Sequence, residues 1–274
     1  MNKERLERFK KLLSVPSHFF KEDEMVEYIT TLLDTDYPDV EYYLDHMDNI
    51  YVTKKTEGYD SYLPCYVAHT DTVHRIEEYV VHEGKKVREY TFGKHFNDGE
   101  EGVDALFAKK PDGSDSGIGG DDKAGIFTCL EILRLVPNCK VAFFVSEEVG
   151  MVGSKEADVT FFDDVSFICE FDAPGNHLVT HICSGVELFD SDGLFFNSAK
   201  PLIESSFGDK IMLGRHPYTD VMALREKTGI TCINLSCGYY NMHSRKEFVV
   251  PDDVEKAITA GVKLTTIATT KYTK

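Results

Sequence analysis

The chain has 274 residues, with 47 Asp and Glu against 30 Lys and Arg, a formal charge of −17. That balance excludes a nucleic-acid-binding module, which needs a basic face to replace phosphate counterions. A hydrophobic content of 42% excludes disorder, and no apolar run approaches the roughly 18 residues that would bring a membrane in as partner. Cys65, Cys129, Cys139, Cys169, Cys183, Cys232 and Cys237 form no Cys-x-x-Cys pair. Scattered free thiols, and a start at Met1 with no signal-type apolar stretch, predict a soluble cytoplasmic protein. The length admits a single catalytic domain over residues 1–274 without disulfide staples.

Leu6, Phe9, Leu12 and Leu13 recur at helical spacing, as do Met25, Ile29, Leu32 and Leu33. Pro16 divides these two helices, and the Ser17 region is expected to cap the second. Val40–Leu44 and Ile50–Thr53, rich in β-branched and aromatic residues, predict paired strands. Leu63–Ala68 is a continuous apolar run, the signature of a strand covered on both faces. Residues 75–115 are charged and turn-rich and are expected to form a surface excursion able to wall a pocket. Its strand candidates are Tyr79–His82 and Val87–Phe92, with Asp112-Gly113 as a hairpin turn. Beyond it, Gly125–Val136 reads as a helix, Val141–Val145 and Val165–Phe171 as buried strands, 219–227 as a helix and Ile230–Leu235 as a strand. Pro251 opens a last helix, with acids in its first turn where the dipole favours them. This alternation predicts an α/β fold, a single-domain mixed, mostly parallel sheet with helices on both faces.

In such sheets ligands lie outside the carboxyl ends of the strands. His69-Thr-Asp71 follows the strand ending at Ala68, and Glu147-Glu148 follows the one ending near Ser146. Asp172 ends the next, and His243 comes soon after Leu235. Gly117-Ile-Gly-Gly-Asp121-Asp122-Lys123 enters a helix between them. Two His and several carboxylates at one sheet edge form a metal-site composition, and N and O donors without Cys suit zinc, manganese or cobalt. Each piece alone is weak, since His46-Met-Asp48, Glu77-Glu78 and Glu100-Glu101 repeat the same pairs in polar stretches. Placement at strand ends separates the two cases. Lys123 is expected either to balance the acidic pair or to be a surface lysine at a helix start. The Gly117 loop lacks the Gly-Lys-Ser/Thr of a phosphate loop, and Asp112-Gly-Ser-Asp115 lacks the rest of a calcium loop.

Taken in order, five stretches resemble the co-catalytic zinc exopeptidases. They are His69-Thr-Asp71-Thr-Val, Gly119-Gly-Asp121-Asp-Lys-Ala-Gly125, Ser146-Glu147-Glu148-Val-Gly-Met-Val-Gly-Ser154, Asp172, and Met242-His243-Ser-Arg-Lys-Glu-Phe-Val. The resemblance is nearest to the peptidase T group of tripeptide aminopeptidases, with carboxypeptidase G and succinyl-diaminopimelate desuccinylase further off. It covers most of the chain, including Thr219-Asp220 and Gly229–Gly238. It implies the zinc exopeptidase catalytic core with two divalent ions, zinc first, cobalt or manganese as alternatives. Asp121 would bridge them, His69 and Asp172 would complete one metal, and Glu148 and His243 the other. Glu147 would serve as general base and acid on a metal-bridging hydroxide, and Asp71 would orient His69 through its other ring nitrogen. The Asp121-Asp122 peptide would be cis.

The sequence also departs from that group, which inserts a lid and dimerisation domain between the equivalents of Asp172 and His243. Here those residues stand 71 positions apart, and core elements fill much of the interval. The inserted domain is therefore read as missing, which favours a monomer and removes the lid residues that bind the substrate carboxylate. Arg215 and His216 are the candidate substrate-binding replacements. The expectation is a dinuclear metal-dependent hydrolase cleaving an amide bond of a small peptide. An aminopeptidase is favoured because an acidic rim suits a substrate ammonium. A deacylase of N-acylated amino acids, or a non-catalytic homologue that keeps its metal for binding or regulation, are the alternatives.

Overall fold

The structure, a computed structural model, describes residues 1–88 and 102–273. Helices α1 (Lys3–Leu13) and α2 (Asp23–Asp36) form where the apolar repeat predicts them. Asn2 caps α1 by accepting from Arg5 N, and Phe9 stacks on Phe127 with ring centroids 4.5 Å apart. The expected cap of α2 does not form. That helix starts beyond the reach of Ser17, whose hydroxyl donates instead to Thr70 O. A hairpin, β1 (Glu41–Leu44) and β2 (Ile50–Lys54), leads into β3 (Leu63–His69), which is buried along its whole length.

The stretch expected to be an excursion builds part of a second, antiparallel sheet. Strands β4 (Val80–Lys86) and β5 (Val103–Lys109) pair from Val80↔Lys109 to Lys86↔Val103, and β6 (Asp115–Ser116) folds back on β5. The turn between β5 and β6 is the one Asp112-Gly113 predicts: Gly113 has φ 83°, and Asp112 accepts from Ser114 N and Oγ. Of the strand candidate Val87–Phe92, Val87 and Arg88 lie in no strand and the rest falls outside the described residues, as does Glu100-Glu101.

The chain then alternates as predicted, through α3 (Gly120–Leu135), β7 (Cys139–Phe144), a short α4 (Val152–Lys155) and β8 (Val165–Ala173). Next comes a group the apolar pattern does not announce: β9 (Leu178–Cys183), β10 (Val186–Glu187), α5 (Leu194–Phe207) and β11 (Met212–His216). The last elements are α6 (Asp220–Thr228), β12 (Cys232–Ser236), β13 (Tyr239–Tyr240), β14 (Phe248–Val249) and α7 (Pro251–Leu264). Among the described residues, no helix is long and apolar enough to cross a membrane.

The main sheet runs β1-β2-β7-β3-β8-β12-β9-β10, with β11 on β9. Strands β7, β3, β8 and β12 are mutually parallel, so their carboxyl ends meet along one edge. Covered on both faces, they need no polar side, which is why their sequences are mostly apolar. Helix α3 crosses β3, β7 and β8 and is itself covered by α1 and α7, while α6 and α4 lie on the other face. Buried this way, α3 keeps a carboxylate beyond its first turn, Glu131, because Arg5 and Arg8 reach it at 2.7 and 2.8 Å. The second sheet, β13-β14-β5-β4, joins the loop holding His243 to the 103–109 strand through Phe248↔Phe107 and Val249↔Leu106.

Candidate metal centre

The parallel edge brings the predicted residues together. His69 ends β3, Asp172 is the penultimate residue of β8, Glu147 and Glu148 follow β7, and Asp121 enters α3. His243 stands in the loop between β13 and β14. Asp121 is the hub: its Oδ1 lies 3.2 Å from His69 Nε2 and its Oδ2 3.2 Å from His243 Nε2. His69 Nε2 is also 3.7 Å from Asp172 Oδ1, and His243 Nε2 is 3.1 Å from Glu148 Oε1. His69 is fully buried, whereas the His243 side chain keeps 47% exposure, so the centre opens to solvent on the His243 side.

The loops are bent to make this possible. Positive φ in a non-glycine residue is uncommon and clusters at functional sites. Here Ser146 (φ 56°) and Met151 (φ 58°) bracket the Glu147-Glu148 turn, and Asn241 (φ 54°) and His243 (φ 60°) shape the other loop. The Asp121-Asp122 peptide is cis, as the resemblance implies.

Supporting contacts hold these side chains. His69 Nδ1 lies 3.1 Å from Asp71 O and 3.2 Å from Asp71 Oδ1, so Asp71 does face the ring nitrogen expected. It does more than that: its two oxygens accept from Glu147 N at 2.9 Å and Glu148 N at 3.1 Å. Tyr239 donates to Asp172 Oδ1 at 3.0 Å, and Asn234 brackets the Asp172 backbone, accepting from its N and donating to its O. Sequence reasoning names neither residue. Asn234 interrupting the apolar strand Ile230–Leu235 is the one signal that could have found it.

Buried carboxylates and imidazoles at these distances shift one another strongly. Burial opposes the charge of Asp121, but the two imidazoles outweigh it and hold the carboxyl well below its usual range. Burial likewise opposes a charged His69, yet Asp121, Asp172 and Asp71 raise the ring well above its usual range. Asp121 and then Glu148 raise His243 to about 11. Burial, helped by the charge of Asp121, pushes Glu148 up to about 7. Burial first, then Asp172, Asp220 and Glu148, push the Glu147 carboxyl well above the carboxylate range, against the pull of His69. That set of influences puts Glu147 among the same groups.

The donor set fits divalent ions. His69, Asp121 and Glu148, and separately His69, Asp122 and Asp172, each offer ligand atoms within 4.8 Å of one another. Of the two neighbouring aspartates, Asp121 is the one that faces both imidazoles. The Asp122 oxygens are already occupied, accepting from His69 N at 3.3 Å and Gly125 N at 3.0 Å.

Other expectations fare differently. Lys123 is neither at the surface nor paired with the acids; it is 2% exposed and donates to Leu13 O at 3.1 Å and Tyr79 Oη at 3.0 Å. A buried ammonium at the carboxyl end of α1 suits that helix's dipole. Arg215 is exposed on β11, while His216 is half-buried, its Nδ1 against Tyr218 O and its Nε2 buried with no hydrogen-bond partner among the described residues. Thr219 and Val221 N donate to the buried Glu170 carboxylate, and Asp220 accepts from Ser154. His46 and Asp48 lie exposed in the turn between β1 and β2.

The parallel core, with metal-type donors at its carboxyl edge, has the fold of solved aminopeptidase and tripeptidase structures. No protein-family model matches the chain, and no curated protein matches it in sequence. Solved structures do. Aminopeptidase PepT from Bacillus cereus ATCC 10987 aligns at a TM-score of 0.74 and 15% identity, covering 97% of this chain and 98% of that one. A tripeptidase from Staphylococcus aureus subsp. aureus Mu50 aligns at 0.73 and 13%, covering 98% and 99%. An aminopeptidase from the archaeon Desulfurococcus kamchatkensis aligns at 0.68 and 15%, covering 97% and 95%. At such identities the likeness is one of fold.

Proposed function

We propose that the chain is a metal-dependent exopeptidase of aminopeptidase type, acting on small peptides with two divalent ions held at the Asp121 centre. One observation carries this reading. A single buried carboxylate, Asp121, offers its two oxygens to two different imidazoles, each of which has a further carboxylate beside it. His69 and Asp172 would hold one ion, Glu148 and His243 the other, and Asp121 would bridge them. Zinc suits this N and O donor set, as do cobalt and manganese. Bound dications supply the acidity that makes water a nucleophile near neutral pH.

The remaining work falls to the chain. Glu147, fixed through its backbone by Asp71, accepts the proton from that water and passes it to the leaving amine. Asp71 and Tyr239 keep His69 and Asp172 oriented. The surplus of carboxylates around the centre suits a substrate ammonium, which supports an aminopeptidase. The second sheet, tied to the His243 loop through β14, is read as the wall on the open side.

Protein loaded with zinc or cobalt is expected to shorten members of a mixed peptide library from the amino end. Mass-spectrometric product analysis reports the end attacked and the length limit together, and a chelator should stop the reaction. Metal-replete protein inert on every peptide would sink the reading.

Of the two substrate-binding candidates we retain His216, whose buried Nε2 lacks a partner among the described residues. A substrate carbonyl or carboxylate would supply one. His216→Ala is expected to raise KM about 5–10-fold at little changed kcat, the worth of one hydrogen bond. An unchanged KM removes His216 from the substrate site.

A further inference from the structure

Glu247 lies four positions after His243 and is 1% exposed. A carboxylate buried so deeply is costly unless its oxygens are engaged. They are, and each contact leads to the centre. Oε1 accepts from Asp121 N at 3.0 Å, and Oε2 accepts from Gly119 N at 2.8 Å and lies 2.7 Å from His74 Nε2. The two amides flank Gly120, which sits so tightly that a Cβ there would come within 2.5 Å of Val249 Cγ2. His74 belongs to the segment that carries His69 and Asp71. Its N–H donates to Thr72 Oγ1 at 3.3 Å, and its ring lies so close over Gly117 that a Cβ there would stand 2.1 Å from it. Three segments, each bearing residues of the centre, thus meet on one carboxylate.

We propose that Glu247, braced by His74, is a positioning residue for the metal centre, fixing the Asp121 backbone so that both Asp121 oxygens face their imidazoles at once. This assignment rests on the dinuclear reading and deepens it. A bridging carboxylate tolerates less error than a terminal one, because any rotation that improves one contact worsens the other. Anchoring the amides on either side of Gly120 removes that rotation. Three N–H donors converge on Glu247, and only an acceptor-only group satisfies all of them; a glutamine would turn its own NH2 against one.

Zinc affinity, measured by competition with a chromophoric chelator, tests this alongside the Tm of the metal-free proteins. Wild type is expected to bind two zinc ions. Glu247→Gln should bind the weaker one about 10–100-fold less tightly, the usual cost of losing an outer partner of a metal ligand, while its metal-free Tm stays within a few degrees of wild type. His74→Leu should weaken zinc in the same direction, and His74→Gln, which keeps an N–H for Glu247, should restore most of it. If Glu247→Gln does not fold, the His74 pair decides alone. Wild-type affinity in both Glu247→Gln and His74→Leu overturns the positioning role and leaves the dinuclear reading standing. Equal losses in His74→Leu and His74→Gln also overturn it, because ring packing on Gly117 would then be the cause. A wild-type protein that binds no pair of ions overturns both readings.

Discussion

Glu147→Gln is expected to stay folded and hold both metal ions while kcat falls about 10²–10⁴-fold, the range for losing a positioned general base. The fold gives reasons for separating chemistry from metal binding at this residue. Glu147 is tied down by its backbone N–H on Asp71 Oδ1, a bond that glutamine makes equally well. The carboxylate that touches an imidazole in this turn is Glu148, 3.1 Å from His243. Glutamine preserves the volume and removes only the ability to take a proton. Metal content by mass spectrometry and steady-state kinetics on the same preparation decide the matter. Near-normal kcat would remove Glu147 as the base, and loss of metal together with turnover would make it a ligand.

Asp121→Ala should be the more severe change, bringing turnover to background and metal content well below two ions per chain. Among the described residues, Asp121 is the one carboxylate within hydrogen-bonding distance of both His69 and His243. Its removal separates the two halves of the centre. Asp122 cannot step in without releasing the amides of His69 and Gly125, which would loosen the end of β3 and the first turn of α3. A folded Asp121→Ala protein that still held two ions and turned over would move the bridge to Asp122.

The part of this architecture legible in the sequence is the part dominated by local pattern. β3, β7, β8 and β12 are largely apolar because both their faces are covered, and their ends carry His69, Glu147, Asp172 and the approach to His243. The helices α1, α2, α6 and α7 follow from apolar spacing and helix-start signals. Legibility fails where structure depends on distant partners. β13 and β14 have two residues each, and β14 is held between β13 and β5, the latter far off in the chain. The edge strand β11 alternates half-buried and exposed residues and offers no apolar run to detect. At the site the same division holds. Ligand-type residues follow strands and can be read there, whereas Glu247, Tyr239 and His74 act through contacts that no spacing encodes. Ser17 and Lys123 show the converse. Both have residue types suited to a helix start, and both turn inward because the folded chain places a backbone carbonyl within their reach.

Asp71 settles one further matter, the proton inventory of the first imidazole. Two acceptors, the Asp71 carbonyl and Oδ1, face His69 Nδ1, so that nitrogen carries hydrogen. In the neutral ring the lone pair then belongs to Nε2, directed at Asp121 and Asp172. The tautomer that a cation needs is therefore written into the loop after β3 before any cation arrives. Because Asp71 Oδ1 also receives Glu147 N, one oxygen ties the ring of His69 to the turn that follows β7.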